Sequence, residues 1–298
     1  MAKFDSHSIG IAAGIFSAAC FGLTGALVNR LADSVPAPEI TFVRGLVGVI
    51  CISIFVRSQL PSLFQRGASI IWIRAIAGAI SILCFSWNLQ LADVGTANIL
   101  FNLSLIFVLI VDYASGRSQI SSKIVGSVML AVAGIGLYWY GSKLIISGEI
   151  LTIGLIGATA ATVAYTALNK ASKTYSSWLI VWAVSLMSIP ISLLAKTGSW
   201  AVPSASGMVM LAGIASSVLA AHYLLNVSFA KLSLPLATAL GPSCIIWSVL
   251  GVAVFQGVMP TMHAVMGIIV YSAAMGLMIA DGKKRSEPAQ VNIPRTRA

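Results

Sequence analysis

The sequence predicts an all-α integral membrane protein: ten transmembrane helices, arranged as two inverted five-helix repeats around a central cavity. Three observations carry that prediction. Charged residues are only 9% of a 298-residue chain that is 58% hydrophobic, with a mean hydropathy of +0.95. The apolar residues gather into ten runs of near-spanning length. The boundaries of those runs recur at a constant shift of 140 residues.

A soluble domain carries roughly 25% charged residues. A chain this poor in charge cannot cover a water-facing surface, so its outer solvent is lipid, and there only helices or closed barrels satisfy the backbone. The net charge of +10 does not point to nucleic acid, because the basic residues stand singly between apolar runs. Cys20, Cys51, Cys84 and Cys244 lie inside those runs without CxxC spacing, which leaves neither a disulfide framework nor a zinc site. The polar start, Met1 to His7, and the absence of a small-residue exit after the first run make that run a span rather than a cleaved signal.

A helix needs about 20 apolar residues to cross the hydrocarbon core. The runs fall at 8–28, 37–56, 70–91, 96–113, 120–140, 148–168, 178–195, 207–230, 234–255 and 262–280. Short connections make neighbouring helices antiparallel. The first five runs form a repeat over 8–140 and the second five a repeat over 148–281; 282–298 reads as a disordered basic tail, rich in charge and proline. With the N-terminus inside, one side of the membrane holds 13 Lys and Arg (among them Lys3, Arg57, Arg66, Arg117, Lys170 and Lys231) and the other only Arg30, Lys143 and Lys196. That asymmetry places both termini in the cytoplasm.

The 140-residue shift lays Asn29-Arg30 on Asn169-Lys170, each closing a span, and Gly95-Thr96-Ala97 on Pro235-Leu236-Ala237, each opening one. Five helices per half is odd, so the second half inserts upside down. Inverted repeats of this kind mark secondary transporters, with the solute near the midplane between the halves.

The second-run segment FVRGLVGVI with Arg44, the third-run exit NLQLADVGTANIL and the ninth-run segment LPLATALGPSCIIW together resemble the drug/metabolite transporter superfamily, EamA branch. Within it they are most similar to bacterial exporters of aromatic amino acids and methyl viologen, the YddG type. The resemblance covers the chain to about Asp281. It implies a bacterial inner-membrane location, cytoplasmic termini, and a cavity built from spans 1 to 4 and 6 to 9, with spans 5 and 10 outside. One departure is that Pro242, a usual feature in that family, faces Asn102 at the equivalent place of the fourth span.

Polar groups at mid-bilayer depth are costly and mark a pathway by default. Arg44 could clamp a carboxylate through its planar fork; the bland alternative ties it to backbone carbonyls or Glu39. Arg74, nearer the cytoplasmic surface, is expected to snorkel out. His222 and Asn226 form a stripe one turn apart, as do Asn98 and Asn102, whose amides suit a zwitterion. Trp87, Tyr165 and Trp182 could make an aromatic wall, whereas Tyr138, Trp139 and Tyr140 read as an interface belt. Pro190 and Pro242 are expected to interrupt their helices, with Ser243 beside the second kink. Glycines in spans 5 and 10, including Gly134 and Gly267, read as scaffold packing or a dimer seam.

There is no phosphate-binding GxxxxGK[ST] loop and no carboxylate at mid-depth, so neither an ATP-driven pump nor a carboxylate proton relay is indicated. No nucleophile–base pair or metal cluster sits at depth, which argues against an enzyme and leaves no catalytic, cofactor or metal-binding residue to name. The expected function is export of small organic solutes, aromatic or neutral amino acids and related metabolites, by alternating access. Competing readings are carriage of nucleotide-type metabolites, lipid-linked molecules or cationic drugs, and a structural membrane subunit. The expected partners are the solute and the bilayer, without nucleic acid, for a monomer or homodimer.

Overall fold

The computed structural model describes residues 6–116, 122–142 and 147–286. Among them the chain is helical throughout, with no strand: α1 (Ser6–Arg30), α2 (Ala37–Val56), α3 (Ser69–Leu91), α4 (Val94–Ala114), α5 (Ser122–Ser142), α6 (Gly148–Ala171), α7 (Ser177–Ala195), α8 (Ala205–Lys231), α9 (Leu234–Leu240), α10 (Cys244–Gln256) and α11 (Met262–Ser286). Among the described residues, eight segments are long and apolar enough to cross a membrane; α9 and α10 together form one of them, Leu234–Gln256. Two further stretches, Val125–Tyr140 in α5 and Met262–Ala274 in α11, are apolar but shorter. The chain is thus a multi-pass membrane protein. Its α11 continues past residue 280 to Ser286, so the start of the expected tail is helical; 287–298, Lys3, Arg117 and Lys143 lie outside the described residues.

Polar punctuation sets where helices begin. The Asp93 carboxylate caps α4, accepting from Thr96 N at 3.0 Å and Thr96 Oγ1 at 2.6 Å. Ser147, Ser176 and Ser204 cap α6, α7 and α8 by accepting the backbone N–H three residues on. Each cap satisfies an amide that has no partner in lipid. Pro36 and Pro38 open α2 where no N–H is needed. At Pro242 the ninth apolar run breaks, with a 3-10 turn over Gly241–Ser243 separating α9 from α10. At Pro190 it does not: α7 runs unbroken through that residue.

The helices pack in reciprocal pairs. α1 lies on α8 and α10, and α3 lies on α6 and α7; α4 packs on α6, α2 on α7 and α5 on α11. Small residues set the closest approaches. A side chain on Gly134 would meet Tyr271 N at 2.8 Å, and one on Gly267 would meet Tyr138 N at 2.6 Å, so α5 and α11 touch backbone to backbone. Those two glycines therefore form a seam within the chain, whereas Gly126, Gly136 and Gly276 face open space. On α2, Gly45 and Gly48 admit Ser185 and Ser188 of α7.

Two apolar clusters close the ends of the bundle. One gathers Val56, Leu63, Ile71, Leu168, Leu179, Phe229 and Leu232, at the ends where α2, α6 and α8 finish. The other gathers Leu31, Val35, Ile40, Val94, Leu211 and Ile214, where α1 finishes and α2, α4 and α8 begin. At this second end the buried Lys196 Nζ lies 3.2 Å from Glu39 Oε1. The Glu39 carboxylate also accepts Ala201 N at 3.1 and 3.0 Å.

Candidate functional site

Between the two end clusters lies a cavity of about 60 Å³. That is well below the roughly 300–1,000 Å³ of an open small-molecule site, so the bundle is contracted around it. Its wall comes from α1, α2, α3, α4, α6, α8, α9 and α10, with none from α5, α7 or α11. The contribution expected from the seventh span is absent because α7 sits behind α2 and α3, held there by the Gly45 and Gly48 contacts.

One face of α3 supplies a continuous stripe at helical spacing: Arg74, Gly78, Ser81, Phe85 and Leu89. The Arg74 guanidinium does not snorkel toward the near end of its helix. It lies across Gly78, where its Nη1 fills the space that a methyl group would take, one turn further into the bundle. Arg74 is only 2% exposed, and its Nε has no hydrogen-bond partner.

Across the cavity Arg44, roughly two turns into α2, places Nη2 3.4 Å from His222 Nε2. A guanidinium only donates, so His222 Nε2 accepts and the imidazole is neutral, with its proton on Nδ1. That Nδ1 is buried without a partner. Phe21 meets the His222 ring edge-on at 5.0 Å. Glu39 is committed to Lys196 and Ala201 rather than to Arg44.

The other polar groups in the wall are held by the helices themselves. Ser17 Oγ donates to Ala221 O at 2.8 Å, and the Thr24 and Ser217 hydroxyls pair at 2.8 Å. Asn98 Nδ2 donates to Val94 O at 2.7 Å and to Ser248 Oγ at 3.2 Å. Asn102 Nδ2 donates to Asn98 O at 2.8 Å, and Cys244 Sγ donates to Asn98 Oδ1 at 3.1 Å. The two asparagines line the cavity, but their amides tie α4 to α10.

Of the residues singled out in the sequence, Arg44, Asn98, Asn102, Tyr165 and His222 come together around the cavity. Trp87, Trp182, Asn226 and Ser243 are not part of its wall. Trp182 donates from Nε1 to Ser53 Oγ at 2.9 Å, Asn226 from Nδ2 to Ser177 O at 3.1 Å, and Ser243 from Oγ to Leu240 O at 2.7 Å. The aromatic wall is Phe21, Phe85, Phe101 and Tyr165 instead, with Phe85 and Phe101 4.9 Å apart. The α3 stripe was the available signal for Arg74 and Phe85.

A wall that draws on helices from both ends of the chain, with two buried arginines and a histidine among its hydroxyls, amides and apolar side chains, suits a solute pathway rather than a packing core. Residues 8–140 match the EamA-like transporter family. Two curated relatives, the pseudopaline exporters CntI of Pseudomonas aeruginosa strains UCBPP-PA14 and PAO1, are each 23% identical over 222 residues, covering 70% of this chain and 77% of theirs. A crystal structure of another protein shares the fold, with a TM-score of 0.71 at 17% identity over 95% of this chain and 100% of that one. The first half of the chain thus matches a transporter family.

Proposed function

We propose that this chain exports small amino-acid-like solutes and related metabolites across a bacterial inner membrane by alternating access, with both termini in the cytoplasm. The observation that carries the reading is the central cavity, lined from both halves of the chain, with Arg44, Arg74 and His222 turned into it. Arg44 holds a solute carboxylate, and Phe21, Phe85, Phe101 and Tyr165 cover its apolar part. The exporter function of the two curated relatives supports the direction of transport.

The transport cycle rests on ten spans in two inverted repeats, 8–140 and 148–281, with α5 and α11 as the fifth and tenth. The packing pattern supports this arrangement. Exchanging each span of the first half with its counterpart in the second turns the α3–α6 contact into α8–α1, α4–α6 into α10–α1, and α3–α7 into α8–α2, all of which occur; α2–α7 and α5–α11 map onto themselves. Rocking one half against the other then opens the cavity first at one end cluster and next at the other.

Purified protein in vesicles loaded with labelled phenylalanine, tryptophan, threonine and glutamate tests the reading. Release of at least one of them well above protein-free vesicles is expected. Release of none above that background rejects amino-acid-like export.

A further inference from the structure

We propose that the preferred solute is an organic anion with two acidic groups on an apolar, flat body. This rests on the reading of the cavity as the transport site and narrows its substrate.

Among the described residues, no aspartate or glutamate lines the cavity, yet two arginines do. Both are buried, Arg44 at 8% and Arg74 at 2% exposure. An isolated charge out of water is unfavourable unless an opposite charge meets it. Arg44 has a neutral imidazole beside it, which is an acceptor but not a counter-ion. Arg74 Nε has no partner at all.

The wall's fully buried polar atoms that lack a partner are both donors. Arg74 Nε and His222 Nδ1 are buried and unpartnered, whereas the amides of Asn98 and Asn102 and the hydroxyls of Ser17 and Thr24 are already engaged. A ligand that completes this site brings acceptors and negative charge. A cation would meet two guanidiniums, and a neutral zwitterion would leave one of them bare.

Two acidic groups, rather than one gripped twice, follow from the placement of the arginines. α2 and α3 are consecutive helices joined through the short Leu60–Phe64 turn, so their first turns lie at opposite ends of the bundle. Arg44 belongs to the early part of α2 and Arg74 to the early part of α3. They enter the cavity from opposite depths, and Phe85 and Phe101 offer an apolar surface along the same wall.

The test uses the full chain in vesicles with defined probes: phthalate and glutamate as two-carboxylate solutes, phosphoenolpyruvate as a phosphate-bearing anion, and phenylalanine as a single-carboxylate control. Release of at least one two-acid probe should exceed that of phenylalanine roughly tenfold or more, the scale of one charge-assisted hydrogen bond. Arg74→Gln should abolish that preference, bringing release of the two-acid probes down to the level of phenylalanine. Should Arg74→Gln fail to fold, the wild-type protein decides the matter, because a two-acid probe should raise its Tm in detergent more than phenylalanine does. Phosphoenolpyruvate alone being moved assigns one acidic group to a phosphate. Phenylalanine moved with no two-acid probe moved or stabilising overturns the proposal and leaves the transport reading standing. No probe moved or stabilising overturns both.

Discussion

Lys196, at the end of α7, is joined to Glu39, in the first turn of α2, by an ion pair of 3.2 Å with both side chains under 10% exposed. Lys196 Nζ also donates to the carbonyls of Thr197, Gly198 and Ser199 at 2.7, 3.0 and 2.6 Å. Trp200 lies beneath that ammonium at 5.6 Å and meets Phe42 edge-on. The strap binds the first half to the second at one end only. At the other end, the corresponding link between the loop after α2 and the start of α7 is an exposed hydrogen bond from Ser176 Oγ to Gln59 Oε1.

Removing one partner from a buried pair strands the other. Glu39→Gln should therefore lower stability by about 3 kcal/mol, near the low end for such pairs because Lys196 keeps its three carbonyls. Thermal unfolding in detergent, with Lys196→Met and the double variant alongside, checks this. The two changes together should cost clearly less than the sum of the singles; simple additivity would show that the pair contributes nothing.

The α5–α11 seam gives a contrast two residues apart. Gly134→Ala places a methyl against the backbone of α11 and should destabilise by about 1–3 kcal/mol. Gly136→Ala projects into open space inside a helix and should hold or raise stability, by up to about 1 kcal/mol. Equal effects at the two positions would contradict the close backbone approach.

His222 acts as a neutral acceptor for Arg44. His222→Gln, which keeps an acceptor, should retain release within about threefold, while His222→Leu, which leaves Arg44 unmet, should lose roughly tenfold. Wild-type release should be nearly flat between about pH 6 and 8. A steep pH profile that disappears in His222→Gln would instead assign the imidazole a proton-carrying role and the protein an antiport cycle.

The aromatic assignments separate cleanly. Trp182→Phe removes one hydrogen bond to Ser53 outside the cavity, so it should cost about 1 kcal/mol of stability and leave solute release unchanged. Phe85→Ala removes cavity wall and should weaken release with a higher KM. The reverse pattern, with Trp182 controlling transport, would mean that the cavity opens along α7.

The helices were legible because lipid imposes one local rule on every span, and apolar run length reads it directly. Eight runs reappear as helices of spanning length, and the break at Pro242 falls where proline denies an amide to the ladder. Pro190 did not break α7, since loss of one hydrogen bond in a well-packed helix does not by itself end it. The site was less legible, because a wall is a property of how helices face each other. Arg44 and His222 could be found from depth alone. Arg74 could not: its nearness to a helix end suggested escape to the surface, and only the missing side chain at Gly78 lets it turn the other way. Trp87 and Trp182 drew attention by size, whereas the wall used the smaller phenylalanines that share a face with Arg74.

Arg74's turn inward has an electrical consequence. An unloaded cavity carries two fixed positive charges through the low-dielectric part of every cycle, and moving one charge through 100 mV is worth about 2.3 kcal/mol. A doubly acidic cargo cancels that charge, so the loaded carrier reorients without feeling the voltage and the empty one does not. Swapping one cargo molecule for another across the membrane should then run faster than net efflux, and only net efflux should respond when the potential is collapsed.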